Sequence, residues 1–184
     1  MTKQLVRAAA LSLLGVRPDD TLWDIGAGTG SVSVELALAA RRGRVYAVER
    51  RESARELILA NRARFCAWNL SLAGRNAPED LASLPVPDAV FLGGAGGRLA
   101  EILDAVLDKN PAVRLCVSAV TVETLSAAMA YLTDRGLDPE AVHLSVSRTG
   151  SAPGSQPRPG NGRCLPHLLR AENPVFLISA LGSL

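Results

Sequence analysis

Apolar positions along this chain switch repeatedly between two periods. Near the start, Leu5, Ala9 and Leu13 recur at helical spacing and Gly15 supplies a stop. A turn at Pro18-Asp19-Asp20 leads into the apolar run Thr21–Ile25, which breaks off at a glycine-rich turn. Residues 31–41 then read as a helix with Val34 and Leu38 toward a sheet, ended by Gly43. The alternation continues with a strand at Arg44–Val48, a helix over 52–68, a weak strand at 70–73 and a turn over 74–78. A strand at 88–92, a helix over 98–107, a strand at 113–118 and a helix over 121–134 follow, with Gly136 as stop. Residues 142–147 and 175–180 give the last two strands. Strands alternating with helices of this length predict a Rossmann-like α/β fold. The expected sheet is seven-stranded and mainly parallel, with helices on both faces, in a single domain over residues 1–184.

Residues 149–174 interrupt this pattern with a Gly-, Pro- and Ser-rich stretch whose composition argues against a regular element. A connection that long inside one domain is either a lid over a site or an insertion. Arg148, Arg158, Arg163 and Arg170 stand in or beside it with few acids, chiefly Glu172, which suits closure over an anionic ligand.

Composition narrows the function classes. Hydrophobic residues at 48% and charged residues at 21% describe a globular chain, and the net charge of +2 is only mildly basic. Aromatics make up 4% and no Lys/Arg run is interleaved with them, so a nucleic-acid partner is not expected. No apolar run is long enough to span a bilayer, and Arg7 interrupts the only stretch that could pass for a leader. The cytoplasm is the expected compartment. Cys66, Cys116 and Cys164 are scattered without CxxC spacing, which reads as reduced thiols and not a disulfide framework or metal site. His143 sits in an apolar strand pattern and reads as structural, Trp23 and Trp68 read as core, and Arg62 and Arg64 read as a solvated helix face. No GxSxG elbow or acid–base dyad is present.

The chemistry concentrates in Asp24-Ile25-Gly26-Ala27-Gly28-Thr29-Gly30, placed between a predicted strand and a predicted helix. Glycines there let a ligand approach the backbone. Glu49 ends the next strand about 20 residues on, where an acid holds a ribose diol. A nicotinamide dinucleotide fingerprint would need glycine at position 31, which is Ser31. Asp24 would also repel a pyrophosphate, whereas the ammonium and sulfonium of S-adenosylmethionine would be attracted. Arg50 adjoins the ribose acid, and Asn76 and Ala77 follow the third strand, where the adenine edge is expected. Gly93, Gly94, Gly96 and Gly97 follow the fourth strand and offer an open floor for a broad flat substrate.

DIGAGTGSVSVELA, VYAVER, NAPEDL, PDAVFLGGAGG, SAVTVE and the closing NPV resemble, in order, the decarboxylating precorrin carbon-15 methyltransferases of cobalamin biosynthesis. That family comprises CbiT and the C-terminal half of CobL. The resemblance implies cofactor contacts at Thr2, Gly26 to Gly30, Glu49 and Ala77, with S-adenosylhomocysteine as product. It implies a precorrin substrate methylated at carbon 15 with loss of the ring-C acetate carboxyl group, and Arg98 and Arg148 as anchors for the ring's carboxylates. It also implies a homo-oligomer, a tetramer by preference, and a fused carbon-5 methyltransferase domain in the full-length protein. Departures lie on the substrate side: Ser118 where the family often has Asn, and Lys109-Asn110-Pro111-Ala112 in place of a PGG turn. The rival readings are a tRNA or small-molecule methyltransferase of the same fold, and a cofactor-binding module without turnover.

Overall fold

The computed structural model describes residues 3–151 and 167–182. Its order is α1 (Gln4–Leu14), β1 (Thr21–Ile25), α2 (Ser31–Ala39), β2 (Arg44–Val48), α3 (Glu52–Arg64), β3 (Leu70–Gly74), a 3-10 turn (Glu79–Ser83) and β4 (Ala89–Leu92). Then come α4 (Leu99–Lys109), β5 (Arg114–Ala119), α5 (Val122–Asp134), β6 (Glu140–Leu144), β7 (Ser147–Ser151), β8 (His167–Ala171) and β9 (Val175–Leu181). Seven strands form one sheet in the order β3-β2-β1-β4-β5-β9-β6. The strands are parallel except β9, which runs antiparallel between β5 and β6. The Rossmann-like expectation therefore holds.

The period-two geometry of a strand sends its residues alternately into two cores. On β1 and β4, Leu22, Ala89 and Phe91 join α1, α2 and α3 through Val6, Ala10, Leu36 and Ile58. Trp23, Ile25, Val90 and Leu92 join α4 and α5 through Ile102, Val106, Ala128 and Leu132. This two-sided burial explains why β4 is apolar throughout, with no polar alternation. Parallel pairing brings the carboxyl ends of β1 to β4 to one edge, where the turns that build the cleft emerge.

Several readings are corrected. The helix over 52–68 stops at Arg64, because Cys66 takes φ +53° and turns the chain. Trp68 is consequently outside the core at 62% exposure, with the Arg62 guanidinium 5.7 Å from its ring. Leu38 is exposed while Val34 is buried, since Val32, Leu36 and Ala37 already fill the sheet-facing side of α2. The strand over 142–147 is two strands, β6 and β7, and the segment read as irregular contributes a ribbon in which β7 pairs with β8 from Ser147↔Ala171 to Ser151↔His167. Backbone pairing needs no apolar alternation, so composition could not show it. Residues 152–166, with Arg158, Arg163 and Cys164, lie outside the described residues.

His143 packs against Phe176, ring centroids 4.7 Å apart, as the structural reading expected. Cys116 is buried and Cys66 exposed, both free. Thr121 caps α5 by accepting from the Thr124 N–H. No helix among the described residues is long and apolar enough to cross a membrane, and no cluster of metal-binding side chains occurs among them.

Candidate functional site

The turn after β1 packs on the turn after β4. A Cβ at Gly26 would stand 2.5 Å from the Gly94 carbonyl oxygen, so glycine is required at position 26 by backbone meeting backbone, not by a ligand. Gly30 is required for a similar reason: a Cβ there would meet Ile58 of α3 at 2.9 Å. Gly28 differs. Its φ is +57° and a Cβ would touch nothing of the protein, so it leaves open space in front of the turn. Asn61 of α3 steadies the turn by donating to the Thr29 carbonyl at 2.9 Å.

Glu49 closes one side of this space. Its carboxylate accepts from the Gly28 N–H at 2.8 Å and from the Arg51 N–H at 3.0 Å. Burial pushes the Glu49 carboxyl up, but those two N–H groups and the Arg51 side chain outweigh it and hold it below the ordinary glutamate value. It is therefore an anion at neutral pH with both oxygens fixed in direction. Arg55 ties the ends of β2 and β3 together, donating to the Glu49 carbonyl at 3.1 Å and the Gly74 carbonyl at 2.6 Å. Asp80 pins the turn after β3 by accepting from the Arg75 and Asn76 N–H groups at 2.6 and 2.9 Å.

These turns surround a cleft of about 520 Å³ at the carboxyl edge of the sheet. Of the residues singled out from sequence, Gly26, Glu49, Arg50, Asn76, Ala77, Gly93, Gly94, Gly96 and Arg98 line it. Arg50 is exposed and has no ion-pair partner among the described residues. Its guanidinium lies 3.7 Å from where a Gly96 Cβ would stand, so it reaches toward the turn after β4. Arg98 donates to Glu79 at 2.6 Å and to Glu101 at 2.5 Å, so it stands in the cleft already paired with two carboxylates.

Other expectations are placed elsewhere. Asp24 is fully buried beneath the turn, bonded to the Ser33 hydroxyl of α2, and does not line the cleft. Burial raises its carboxyl to about 7, against the Ser33 hydrogen bond and helped by nearby Glu49. The full negative charge assigned to it from sequence is thus corrected to a carboxyl that is partly protonated near neutrality. Ala27, Gly28, Thr29 and Gly30 form the turn itself without lining the cleft, and Gly97 lies beyond it. Arg148, on β7, is also away from the cleft and pairs with Glu172 at 3.4 Å. Thr2 lies outside the described residues.

Sequence reasoning missed Arg75, Glu79, Ala95 and Ile102, which also line the cleft, and Ser33, which holds Asp24. Glu79 was legible only as part of NAPEDL, because nothing local tells that it faces Arg98 from another turn.

The arrangement suits a nucleoside with a cationic tail. Asp24 Oδ1 and Thr29 Oγ1 are both buried without a hydrogen-bond partner, leaving polar capacity unused at the turn. Gly28 leaves room before it, and Glu49 presents a fixed carboxylate just past the end of the next strand.

Known proteins resemble the chain in sequence and in fold. A cobalt-precorrin-6B C(15)-methyltransferase (decarboxylating) of Salmonella typhimurium is 38% identical over 97% of this chain and 88% of its own length. A probable enzyme of the same description from Pyrobaculum calidifontis is 40% identical over 98% of this chain and 88% of its own. The crystal structure of a precorrin-6y C5,15-methyltransferase from Geobacter metallireducens superposes with a TM-score of 0.87 at 37% identity, covering 98% of this chain and 90% of that one. The family model described as precorrin methyltransferase domain matches residues 1–156, and the chain belongs to that family.

Proposed function

We propose that this chain methylates carbon 15 of a precorrin ring, using S-adenosylmethionine, with loss of carbon dioxide from the ring-C acetate. The observation that carries the reading is the cleft itself: a fixed carboxylate at the end of β2 faces a floor made of Gly93 and Gly94 after β4. When bound, the cofactor supplies an electrophilic methyl group. Glu49 would accept from the ribose hydroxyls, and Asn76 and Ala77, which line the same cleft, would border the adenine. Gly94, whose Cβ would meet nothing, keeps the floor flat where a tetrapyrrole would lie.

Decarboxylation releases an electron pair that conjugation delivers to carbon 15, so the protein supplies orientation and water exclusion more than a strong base. That requirement agrees with a cleft whose titratable groups are mostly engaged in ion pairs. Arg98 would take a substrate carboxylate by exchanging one of its two glutamates for it. The reading includes a homo-oligomer, a cytoplasmic location and a carbon-5 methyltransferase fused in the full-length protein.

Incubation with S-adenosylmethionine and the preceding pathway intermediate, followed by mass spectrometry, tests the reaction. A gain of one methyl together with loss of one carbon dioxide supports it, and cofactor binding without either change would leave only a binding module. Glu49→Ala should weaken S-adenosylhomocysteine binding by roughly 1–3 kcal/mol by calorimetry, the cost of losing a hydrogen bond to a charged group. Unchanged affinity in a folded variant removes Glu49 from the site.

A further inference from the structure

Four arginines line the cleft, Arg50, Arg51, Arg75 and Arg98, and three of them are already neutralised. Arg51 pairs with Glu49 at 3.2 Å, Arg75 with Glu52 at 2.6 Å, and Arg98 with both Glu79 and Glu101. Arg50 alone of the four has neither an ion pair nor a hydrogen bond from its side chain among the described residues. The acid next to it in the chain, Glu49, is engaged elsewhere. One Glu49 oxygen accepts from the Gly28 N–H and the other from the Arg51 N–H and side chain.

The placement of this free cation is specific. Arg50 follows Glu49 beyond the end of β2, yet its guanidinium ends beside the turn after β4, although β1 lies between those two strands in the sheet. Its Nη1 stands 3.7 Å and its Cζ 4.0 Å from where a Cβ of Gly96 would be. The charge is thus carried away from the Glu49 carboxylate to the floor that Gly93, Gly94 and Gly96 form.

We propose that Arg50 is a substrate-anchoring residue, which binds a side-chain carboxylate of the tetrapyrrole and fixes the ring over the glycine floor. Such a role presupposes the precorrin methylation proposed above. Arg98 takes a carboxylate only by releasing a glutamate already bonded to it, so the exchange gains little, whereas Arg50 gives up only water. A guanidinium also offers a carboxylate two parallel N–H groups, which sets direction as well as distance. The carboxylate held by Arg50 is one that the product keeps. The carboxylate that leaves does so as neutral carbon dioxide, and a guanidinium paired with it would stabilise the starting anion more than the transition state.

Equilibrium dialysis in the presence of S-adenosylhomocysteine tests the anchor. The probes are cobyrinic acid, a corrin with free carboxylates whose ring-C acetate is already decarboxylated to methyl, and its fully amidated counterpart. Wild type should bind the acid about ten-fold or more tightly than the amide, and Arg50→Met should remove most of that preference. Arg50→Lys should restore part of it, since the charge returns without the paired donors. Arg75→Met deletes the same charge from a group already paired with Glu52 and should cost no more than about two-fold, which separates a specific anchor from the general field of the cleft. S-adenosylhomocysteine affinity and the melting temperature should be unchanged in Arg50→Met, because the side chain is exposed and makes no bond within the fold. With the pathway substrate the variant should raise KM about ten-fold at nearly constant kcat, as for a contact equally present in the ground and transition states. An acid bound no tighter than the amide, or bound alike by wild type and Arg50→Met, overturns the anchor and leaves the proposed reaction standing. Equal weakening by Arg75→Met does the same, as does weaker S-adenosylhomocysteine binding in Arg50→Met, which would give the residue to the cofactor. A kcat that changes as much as KM overturns the assignment to a retained carboxylate. A wild type that binds neither probe and turns over no precorrin overturns the proposed reaction, and the anchor with it.

Discussion

Asp24 shows how one residue can serve two ends at once. It is the penultimate residue of β1, where a carboxylate is expected near a cationic ligand, yet it is fully buried and bonded to Ser33. Burial lifts its carboxyl to about 7, from an ordinary value of roughly 3.9. The folded protein therefore binds a proton at Asp24 that the unfolded chain has already released over this window. Stability from this group is present below the unfolded value, falls as pH rises toward 7, and is flat above it. Asp24→Asn should remove that dependence. Denaturant titrations at pH 5 and pH 8 are expected to show the variant gaining on the wild type at the higher pH, by about 2–3 kcal/mol. A gap that does not change with pH would mean that Asp24 is ionised throughout. At this scale the sequence showed that an acid stands at position 24 but not that the two cores on either side bury it, since that burial depends on residues from distant segments.

Among the elements, the glycine turn after β1 divides into positions with opposite roles. Gly26 and Gly30 have φ of +71° and +73°, and at each a Cβ would stand within 3 Å of neighbouring atoms, whereas at Gly28 it would meet none. Gly26→Ala should thus cost stability, because the Gly94 backbone has no rotamer with which to yield. Gly28→Val should leave most of the fold intact, at a local cost of about 1–2 kcal/mol for a left-handed conformation, and abolish S-adenosylhomocysteine binding. Circular dichroism melts with calorimetry separate the two outcomes, and a Gly28→Val protein that binds normally would move the cradle elsewhere. The GxGxG spacing, Glu49 and the strand–turn–helix context were all legible in the chain, because each is local or a fixed distance along one βα unit. The bonds of Arg55 to Gly74 and of Glu79 to Arg98 were not, because those partners are set by how separate units pack. The ribbon of β7 and β8 escaped for a different reason: its pairing uses backbone groups that composition does not describe.

For the molecule as a whole, the position of α1 depends on one buried cation. Arg114 opens β5, donates to the Leu14 carbonyl at 3.0 Å and to the Gly15 carbonyl, and pairs with Asp20 at 2.7 Å. Its side chain is 16% exposed and that of Asp20 only 6%. One guanidinium thus satisfies the carbonyl end of α1, where helix carbonyls lack partners and a cation is favoured, and also fixes the turn into β1. The helix it holds supplies Val6, Ala10 and Leu14 to one of the two cores. Arg114→Leu would keep the apolar stem but leave Asp20 buried without its cation. Removing one partner of a buried pair costs roughly 3–5 kcal/mol, well beyond the worth of the hydrogen bonds alone. The variant should therefore unfold at clearly lower denaturant, and Asp20→Asn in the same background should return part of the loss by removing the stranded charge. A rescue of this kind separates the charge effect from simple loss of packing, because packing is unchanged between the two variants. If the second substitution returns nothing, the Arg114–Asp20 pair is a bystander and α1 is held by its apolar face alone.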